Sequence, residues 1–395
     1  MHLDFTPEQQ ALRQEIRRYW QELFTPELRA RFEAEHEEMG GPVFREIVGR
    51  MGADGWLAIG WPEEYGGQGR TPLEQFIFWD ETHRARAPLA FIGVCTIGPT
   101  LMQFGTEEQK RRFLPGLGRG ELIFGMGYTE PGSGTDLASL ATRAVRDGDE
   151  YVINGQKLFT THAHDADYIW LAARTDPEAP KHRGISILVV PTDAPGFSCT
   201  PIYTLGGERT NATYYEDVRV PVANLVGPEN AGWSLITSQL NHERITLACP
   251  GFLDRMLDEV WAWSASAQAP EGGPLIEQQW VQLHLARVFA KLEALKLLNW
   301  RSAWSVTAGH PDMAEASAVK VMGTETFVEC YGLLLEIVGA AGTRVQGEPG
   351  ALFGGLLEQA YRAAVTLTFG GGVNEVQRDI IAAAGLRLPR ARRRN

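Results

Sequence analysis

Four short stretches of the sequence combine glycine with side chains that can bind or polarise a ligand. They read WPEEYGG at 61–67, YTEPGSGTD at 128–136, NGQK at 154–157 and FGGGVNEVQR at 369–378. Glycines such as Gly132 and Gly134 let the backbone approach a ligand closely, and hydroxyl groups beside them can donate hydrogen bonds. One glycine-rich stretch alone is weak evidence, and the ordinary alternative for 128–136 is a Pro-Gly loop between two elements.

A cluster of histidine and aspartate follows directly after a predicted strand. It contains His162, His164, Asp165 and Asp167. A His-x-His pair with nearby carboxylates is not a specific pattern of metal ligands. We therefore expect a solvated loop here and no metal.

The composition is that of a folded globular protein. Of its 395 residues, 44% are hydrophobic and 22% charged, which is enough to bury a substantial core. The net charge of −12 argues against a nucleic-acid-binding protein, which would need a dominant basic face. The N-terminus carries acidic residues early and is not expected to be a signal peptide, and the sequence has no run of about eighteen apolar residues that would predict a membrane span. Four scattered cysteines without a Cys-x-x-Cys pair also fit a cytoplasmic protein without a membrane span.

The hydrophobic period divides the chain into three regions. Residues 1–120 have helical spacing, residues 121–229 contain strand patterns punctuated by glycine and proline, and residues 230–395 return to helical spacing. Two long helices are expected in the last region, one along 283–298 and one along 314–338. The order of elements predicts an α+β fold with a mostly antiparallel β module between helical ones.

Short sequence signals predict where several helices and strands begin or end. Thr6 and Thr106 each begin a capping box, in which a glutamine three residues later reaches back to the threonine. Pro115 is expected to end the helix that starts at Thr106. The stretch 151–159 is typical of a β-hairpin around an Asn-Gly turn.

In their order and separation, the four glycine-containing stretches make the chain resemble the acyl-CoA dehydrogenase family from end to end. The resemblance implies an N-terminal helical domain, a middle β-barrel or sandwich domain, and a C-terminal four-helix bundle. It also implies FAD bound between the middle domain and the bundle, and an acyl-CoA substrate. The expected reaction is α,β-dehydrogenation, in which a base takes a proton from Cα and the hydride of Cβ goes to flavin N5.

The resemblance also assigns residues to the cofactor. Tyr128 and Thr129 are expected beside the pyrimidine end of the flavin, and Phe159 and Thr161 near N5, where the family usually has tryptophan in place of Phe159. The remaining positions assigned to the cofactor are Gly134, Thr135, Val373 and Glu375. Thr135 is also assigned to the substrate. A reduced flavin is electron-rich, so hydrogen-bond donors at its edge are the chemical requirement.

The position of the catalytic base departs from the usual family pattern. Most members carry glutamate where this chain has Gly371, whose backbone N–H could still polarise the thioester carbonyl. A minority place the glutamate on the first C-terminal helix, and Glu243 falls at that position. We therefore expect Glu243 to be the general base, with Asn241 and Arg244 contacting substrate. The ordinary alternative for Glu243 is a surface glutamate paired with a neighbouring cation.

A second departure concerns subunit assembly. In the family's tetramers a neighbouring subunit lends an arginine and a glutamine to the FAD pyrophosphate. The corresponding loop, 264–273, contains no arginine, and the glutamine position is Glu336, whose charge disfavours a diphosphate. The chain is therefore expected to form a heterotetramer with a paralogous acyl-CoA dehydrogenase subunit, although a homotetramer using other contacts is the alternative. The pattern is similar to catalytic subunits of actinobacterial heterotetramers that act on CoA thioesters of steroid side chains.

Two other functions are compatible with the same residues. One is an acyl-CoA oxidase of the same fold, which differs in letting oxygen reach the reduced flavin. The other is a non-catalytic scaffold subunit of a heteromeric dehydrogenase, against which the glutamate at position 243 argues. For a dehydrogenase, an electron-transfer flavoprotein is the acceptor expected by analogy with the family.

Overall fold

Helices enclose a central sheet in the computed structural model, which describes residues 4–35, 39–88, 90–246, 248–310 and 312–389 and, of residues 240–246, the backbone only. The N-terminal helices are α1 Pro7–Leu23, α2 Pro26–Glu35, α3 Pro42–Ala53, α4 Pro72–Ala85, α5 Gly98–Phe104 and α6 Glu107–Gly118. Capping boxes start three of them, at Thr6, Thr71 and Thr106, because each threonine side chain accepts the N–H three residues on. The predicted helix starts at Thr6 and Thr106 are thus confirmed.

The middle region forms one sheet of eight strands. They are β1 Phe124–Gly127, β2 Arg143–Asp147, β3 Glu150–Lys157, β4 Tyr168–Arg174, β5 Ile185–Pro191, β6 Phe197–Tyr203, β7 Arg209–Pro221 and β8 Leu225–Val226. The order is β6-β7-β3-β2-β4-β5-β8, with β1 added parallel to β4. Apart from β1–β4 and a single parallel β2–β4 pairing, the neighbours run antiparallel. This agrees with the mostly antiparallel module expected from the sequence.

The C-terminal region is helical. Its helices are α7 Gly232–Thr246, α8 Gly251–Ser266, α9 Gln279–Thr307, α10 Met313–Val338, α11 Leu356–Leu367 and α12 Asn374–Ile380. The two long helices expected from the sequence are confirmed as α9 and α10. One hydrophobic core joins the N-terminal helices to the sheet, and a second lies inside the C-terminal helices. The α+β class and the helix–sheet–helix order are therefore confirmed.

Two local predictions were wrong. The stretch 151–159 is not a hairpin, because β3 continues through Gly155 as a bulge against β7. Asn154 bonds to Asp217 on that neighbouring strand through both its amide nitrogen and its oxygen, and a Cβ at position 155 would lie 2.6 Å from the Thr142 hydroxyl. Helix α6 also continues past Pro115, where the proline has no N–H to donate but its carbonyl still accepts from the Arg119 N–H.

One helix in the described part of the chain is long and apolar enough, by length and composition, to cross a bilayer. It runs from Met313 to Thr343 and consists of α10 and the turn that follows. It packs against α9, α11 and α12 and carries the fully buried Lys320. These are the surroundings of a core helix in a folded domain.

The N-terminal and C-terminal helices meet at an acidic cluster. Asp80 on α4 lies near Glu81 and Asp254, and its Oδ1 is buried without a hydrogen-bond partner. Burial, followed by the charges of Glu81 and Asp254, raises the pKa of Asp80 to about 7. Arg13 and the Gly251 backbone N–H oppose this shift only in part.

Replacing Asp80 by asparagine is expected to stabilise the protein more at alkaline than at acidic pH. The folded-state pKa of Asp80 lies above the ordinary value of 3.8, so folding binds a proton between about pH 4 and pH 7 and the wild type loses stability as pH rises through that window. The Asp80→Asn variant would avoid this loss, on the order of 2 kcal/mol between pH 5 and pH 8. Urea unfolding at both pH values measures it. Asp258→Asn, at an exposed partner of Arg84, is the control, and an equal gain from Asp80→Asn at both pH values would contradict the prediction.

Candidate active site

A buried ion pair fixes the loop 128–136. Lys157, fully buried at the end of β3, donates to Glu130 Oε1 at 2.7 Å and to the Tyr128 carbonyl at 3.1 Å. The Glu130 carboxylate also accepts the backbone N–H groups of Ala141 and Thr142. Burial alone would raise the pKa of Glu130, but Lys157 and these N–H groups hold it below its ordinary value. Two of the four glycine-containing stretches are thus joined by one salt bridge.

The same contact region brings predicted cofactor residues together. The Leu158 N–H donates to the Thr129 carbonyl at 2.8 Å, so the loop 158–161 lies against the loop 128–136. Phe159 has a φ of 57° and is 54% exposed, and Thr161 is half-buried. Within the described residues, neither the Thr129 nor the Thr161 hydroxyl has a hydrogen-bond partner. Both donors are therefore available to a ligand.

The Tyr128 side chain points away from these donors. Its ring is buried, and its hydroxyl donates to Gln239 Oε1 on α7 at 2.5 Å while accepting from the Trp170 indole at 3.1 Å. The hydrogen bond to Gln239 ties the sheet to helix α7. A contact between Tyr128 and a flavin would therefore come from its backbone, and the side chain instead holds the helix that carries position 243.

A second buried lysine fixes the C-terminal glycine loop. Lys320 on α10 is fully buried and donates to the Thr368 carbonyl at 3.1 Å and to Asn374 Oδ1 at 2.7 Å. These two acceptors bracket Gly370, Gly371 and Gly372. Lys320 was not among the residues predicted from the sequence, although a lysine between Val319 and Val321 in an apolar helix is an unusual pattern that could have indicated it.

Gly371 lies in a left-handed conformation, with a φ of 64°. Residues other than glycine rarely adopt this conformation. The Gly371 N–H makes no hydrogen bond to any residue that the structure describes. It therefore remains available as a donor to a ligand.

A cavity of about 500 Å³ lies between the N-terminal helices, the sheet and the C-terminal helices. Thr161 and His162 line it from the sheet, and Thr366 and Leu367 line it from the end of α11. Most of the remaining lining is apolar, including Phe32, Phe44, Trp79, Phe91, Phe252 and Phe327. A carboxylate or a developing charge held against these apolar walls would interact with nearby groups more strongly than it does in water.

His162 and His164 do not form the solvated loop that the sequence predicted. His162 is 2% exposed, and its Nδ1 contacts the Met39 carbonyl at 2.5 Å. Burial lowers the pKa of His162 to about 4, so it is neutral at physiological pH. Asp165 forms a salt bridge with Arg45, which also lies near Asp167. The loop is buried because α3 packs over it, which the local sequence could not indicate.

The other predicted site residues are more dispersed. Gly134 and Thr135 lie on an exposed part of their loop and do not line the cavity. Val373 is half-buried directly before α12, and Glu375 is exposed in its first turn. The backbone of Asn241, Glu243 and Arg244 is helical in α7, whereas their side chains lie outside the described part of the structure.

The face predicted to meet another subunit carries unusual residues. Glu336 on α10 shares a hydrogen bond of 2.7 Å with His284 on α9, and its carboxylate is mostly exposed. Leu283, Leu297 and Trp304 on α9 are all more than 45% exposed. Because they are separated by multiples of seven residues, they lie on one face of the helix.

Comparison with known protein families matches all three regions of the chain. The N-terminal, middle and C-terminal domain models of acyl-CoA dehydrogenase match residues 6–121, 125–218 and 230–386. Their order is that of the helical region, the sheet and the second helical region described above. The chain therefore belongs to the acyl-CoA dehydrogenase family, a family of flavoproteins.

Individual relatives agree over the full length. Acyl-CoA dehydrogenase FadE26 of Mycobacterium tuberculosis is 54% identical over 100% of both chains. A chain of the ChsE4-ChsE5 complex from the same organism matches with a TM-score of 0.93 and 54% identity, over 99% of this chain and 100% of that one. A chain of the Tcur3481-Tcur3483 steroid ACAD has a TM-score of 0.94 and 52% identity, with the same coverage. This protein is an acyl-CoA dehydrogenase, an oxidoreductase, and its predicted resemblance to the actinobacterial steroid type is confirmed.

Proposed function

We propose that the protein catalyses FAD-dependent α,β-dehydrogenation of an acyl-CoA thioester, with Glu243 as the base. The observations that carry the proposal are a largely apolar cavity of about 500 Å³ that Thr161 lines and three donors that have no hydrogen-bond partner among the described residues. These are the Thr129 and Thr161 hydroxyls and the Gly371 N–H. Two buried lysines hold the loops on which these donors lie.

The donor set fits a flavin and a thioester. The Thr129 and Thr161 hydroxyls supply hydrogen bonds to the flavin edge, and the exposed Phe159 ring offers an aromatic surface beside them. Gly134, Thr135, Val373 and Glu375 complete the proposed cofactor contacts. FAD, when bound, accepts the hydride from Cβ. The Gly371 N–H polarises the thioester carbonyl and so lowers the cost of the enolate-like charge that forms when Cα loses its proton.

The backbone of α7 supports Glu243 as the base. Gln239, which bonds to Tyr128, lies on the side of α7 that faces the sheet. Position 243 follows by four residues and is therefore on the same side of the helix, one turn further along. Asn241 and Arg244 are proposed to contact the substrate from the same helix. A carboxylate in a poorly solvated site has a raised pKa and is suited to abstract a proton.

We also propose that the active site is completed by a different subunit. Loop 264–273 has no arginine, and Glu336 places a carboxylate, engaged by His284, where a diphosphate would need a donor. The exposed apolar face of α9 is of the kind that a partner subunit would cover. Two similar solved structures are, by their names, the ChsE4-ChsE5 complex and Tcur3481-Tcur3483, which supports a heteromer of paralogous subunits.

The isolated chain is expected to carry much less than one flavin. It would lack the phosphate-binding groups that a partner supplies, so FAD should be retained only after co-expression with the paralogous subunit. The measurement is flavin absorbance per chain after purification with and without the partner. A full equivalent of flavin in the chain alone would disprove the heteromer while leaving the dehydrogenase assignment intact.

The proposed substrate is the CoA thioester of a steroid side chain. The apolar lining of the cavity suits a large hydrocarbon group, and the steroid name of one similar structure points the same way. Bleaching of the oxidised flavin by a steroid side-chain CoA ester, but not by short acyl-CoAs, tests this substrate. An electron-transfer flavoprotein is the proposed acceptor, and hydrogen peroxide formed in each turnover would instead indicate an oxidase.

A further inference from the structure

Three polar side chains that line the cavity lie near one another and are called here its polar pole. They are Arg86, Glu208 and Gln359, and an Arg86 N–H bonds to the Gln359 amide oxygen. Gln359 and Thr366 lie on the same helix, α11, seven residues apart. At the rise of an α-helix this is roughly 10 Å. The polar pole is therefore well separated from the end of the cavity that leads to the Gly371 loop.

Arg86 has an unsatisfied donor at this pole. Its Nη1 is buried and has no hydrogen-bond partner. Its guanidinium lies 6.0 Å from the Phe252 ring centroid, and no carboxylate of the described chain forms an ion pair with it. Arg84, two residues earlier, pairs with both Asp254 and Asp258. A buried N–H without an acceptor costs free energy, so this donor is suited to a ligand atom.

The backbone at Arg86 adds a second cost. Arg86 ends α4 with a φ of 56° and a ψ of 40°, a left-handed conformation in which glycine would be less strained. Burial also lowers the pKa of its guanidinium. A long charged side chain at such a position is a feature that accompanies binding sites.

Glu208 determines which kind of ligand group fits. Burial raises the pKa of the Glu208 carboxyl, and the charge of Arg86 opposes that shift. The two side chains together are close to neutral, so a second carboxylate would be repelled by Glu208. A hydroxyl group can accept from Arg86 Nη1 and donate to Glu208 at the same time.

We propose that Arg86 and Glu208 form a binding site for a hydroxyl group at the end of the acyl chain remote from the thioester. This inference rests on the proposed acyl-CoA dehydrogenase reaction and extends it to substrate choice. The apolar lining binds the hydrocarbon, and the pole selects acyl groups that carry oxygen at their far end. An acyl group without that oxygen leaves the Arg86 N–H unsatisfied.

The test compares matched pairs of ligands by isothermal titration with the flavin-loaded complex of this chain and its partner subunit. Unbranched acyl-CoAs from octanoyl to hexadecanoyl are each compared with their ω-hydroxy derivatives, which identifies the chain length that reaches the pole. At that length the hydroxyl is expected to tighten binding about tenfold, since the donor is charged. Arg86→Gly suits the left-handed backbone and should abolish this advantage, so that the ω-hydroxy and unsubstituted chains of that length bind with equal affinity.

Further measurements distinguish failure of the hydroxyl site from failure of the proposed function. Glu208→Gln should retain binding of the ω-hydroxy chain and admit an ω-carboxy chain that the wild type rejects. An ω-hydroxyl that weakens binding at every length, or helps equally in Arg86→Gly, would overturn the inference alone. A wild type that prefers the ω-carboxy chain would overturn the hydroxyl assignment. If no acyl-CoA binds at all, the proposed function fails together with the inference.

Discussion

Glu243→Gln is expected to slow turnover by roughly 10²- to 10⁴-fold, the usual contribution of a general base. Glutamine matches glutamate in size but cannot accept the Cα proton at physiological pH. Flavin content should stay at the wild-type level, because Glu243 is not among the proposed cofactor contacts. The measurement is the steady-state rate of the flavin-loaded complex with its acyl-CoA, together with flavin absorbance per complex.

The control for this variant is Glu259→Gln, which removes a partly exposed partner of Arg255 on the neighbouring helix α8 and should leave the rate within about twofold. Glu243→Asp should retain part of the activity, because it keeps a carboxylate on a shorter side chain. Full turnover by Glu243→Gln in the complex would remove Glu243 from the base role. A turnover that is lost only when the partner subunit's own candidate base is changed would support the scaffold function instead.

Lys157→Met should destabilise the protein by about 3–5 kcal/mol, because it leaves the Glu130 carboxylate buried without its cation. Lys157 is fully buried and Glu130 nearly so, so water cannot replace the lost partner. The loop 128–136 should loosen, and flavin retention should fall with it. Urea unfolding and flavin absorbance measure the two effects.

Two further variants separate charge loss from general damage to this loop. Lys157→Met combined with Glu130→Gln removes both charges and should recover part of the lost stability, since no unpaired ion remains. Lys181→Met breaks an exposed ion pair with Asp136 at the end of the same loop and should cost less than about 1 kcal/mol. Equal losses from Lys157→Met and Lys181→Met would show that burial of the pair is not what stabilises the loop.

Much of the architecture was predictable because its signals are local. A capping threonine and the glutamine three residues later contact each other within one helical turn, so the start of α1 follows from adjacent residues. The change from helical to alternating spacing near residue 122 likewise marked the sheet. Predictions failed where a distant strand decided the outcome, as at Gly155, whose Asn-Gly pair became a bulge because β7 lies beside it.

The features of the candidate site also divide into those that could be predicted from the sequence and those that could not. Short patterns were sufficient to identify the family and the glycine loops, since these are defined by residue type and spacing. They did not indicate that Lys157 holds Glu130, that Lys320 holds the Gly371 loop, or that Tyr128 bonds to α7.

Arg84 and Arg86 show most clearly what the sequence alone could not predict. In the sequence they are two arginines on either side of one alanine. In the tertiary structure one forms surface ion pairs with α8, and the other lines a cavity with a donor unsatisfied. The sequence by itself determined the helices, the strands and the chemical groups available. Only the tertiary structure decided which charges are buried and with what partner, because burial depends on elements that come from distant parts of the chain.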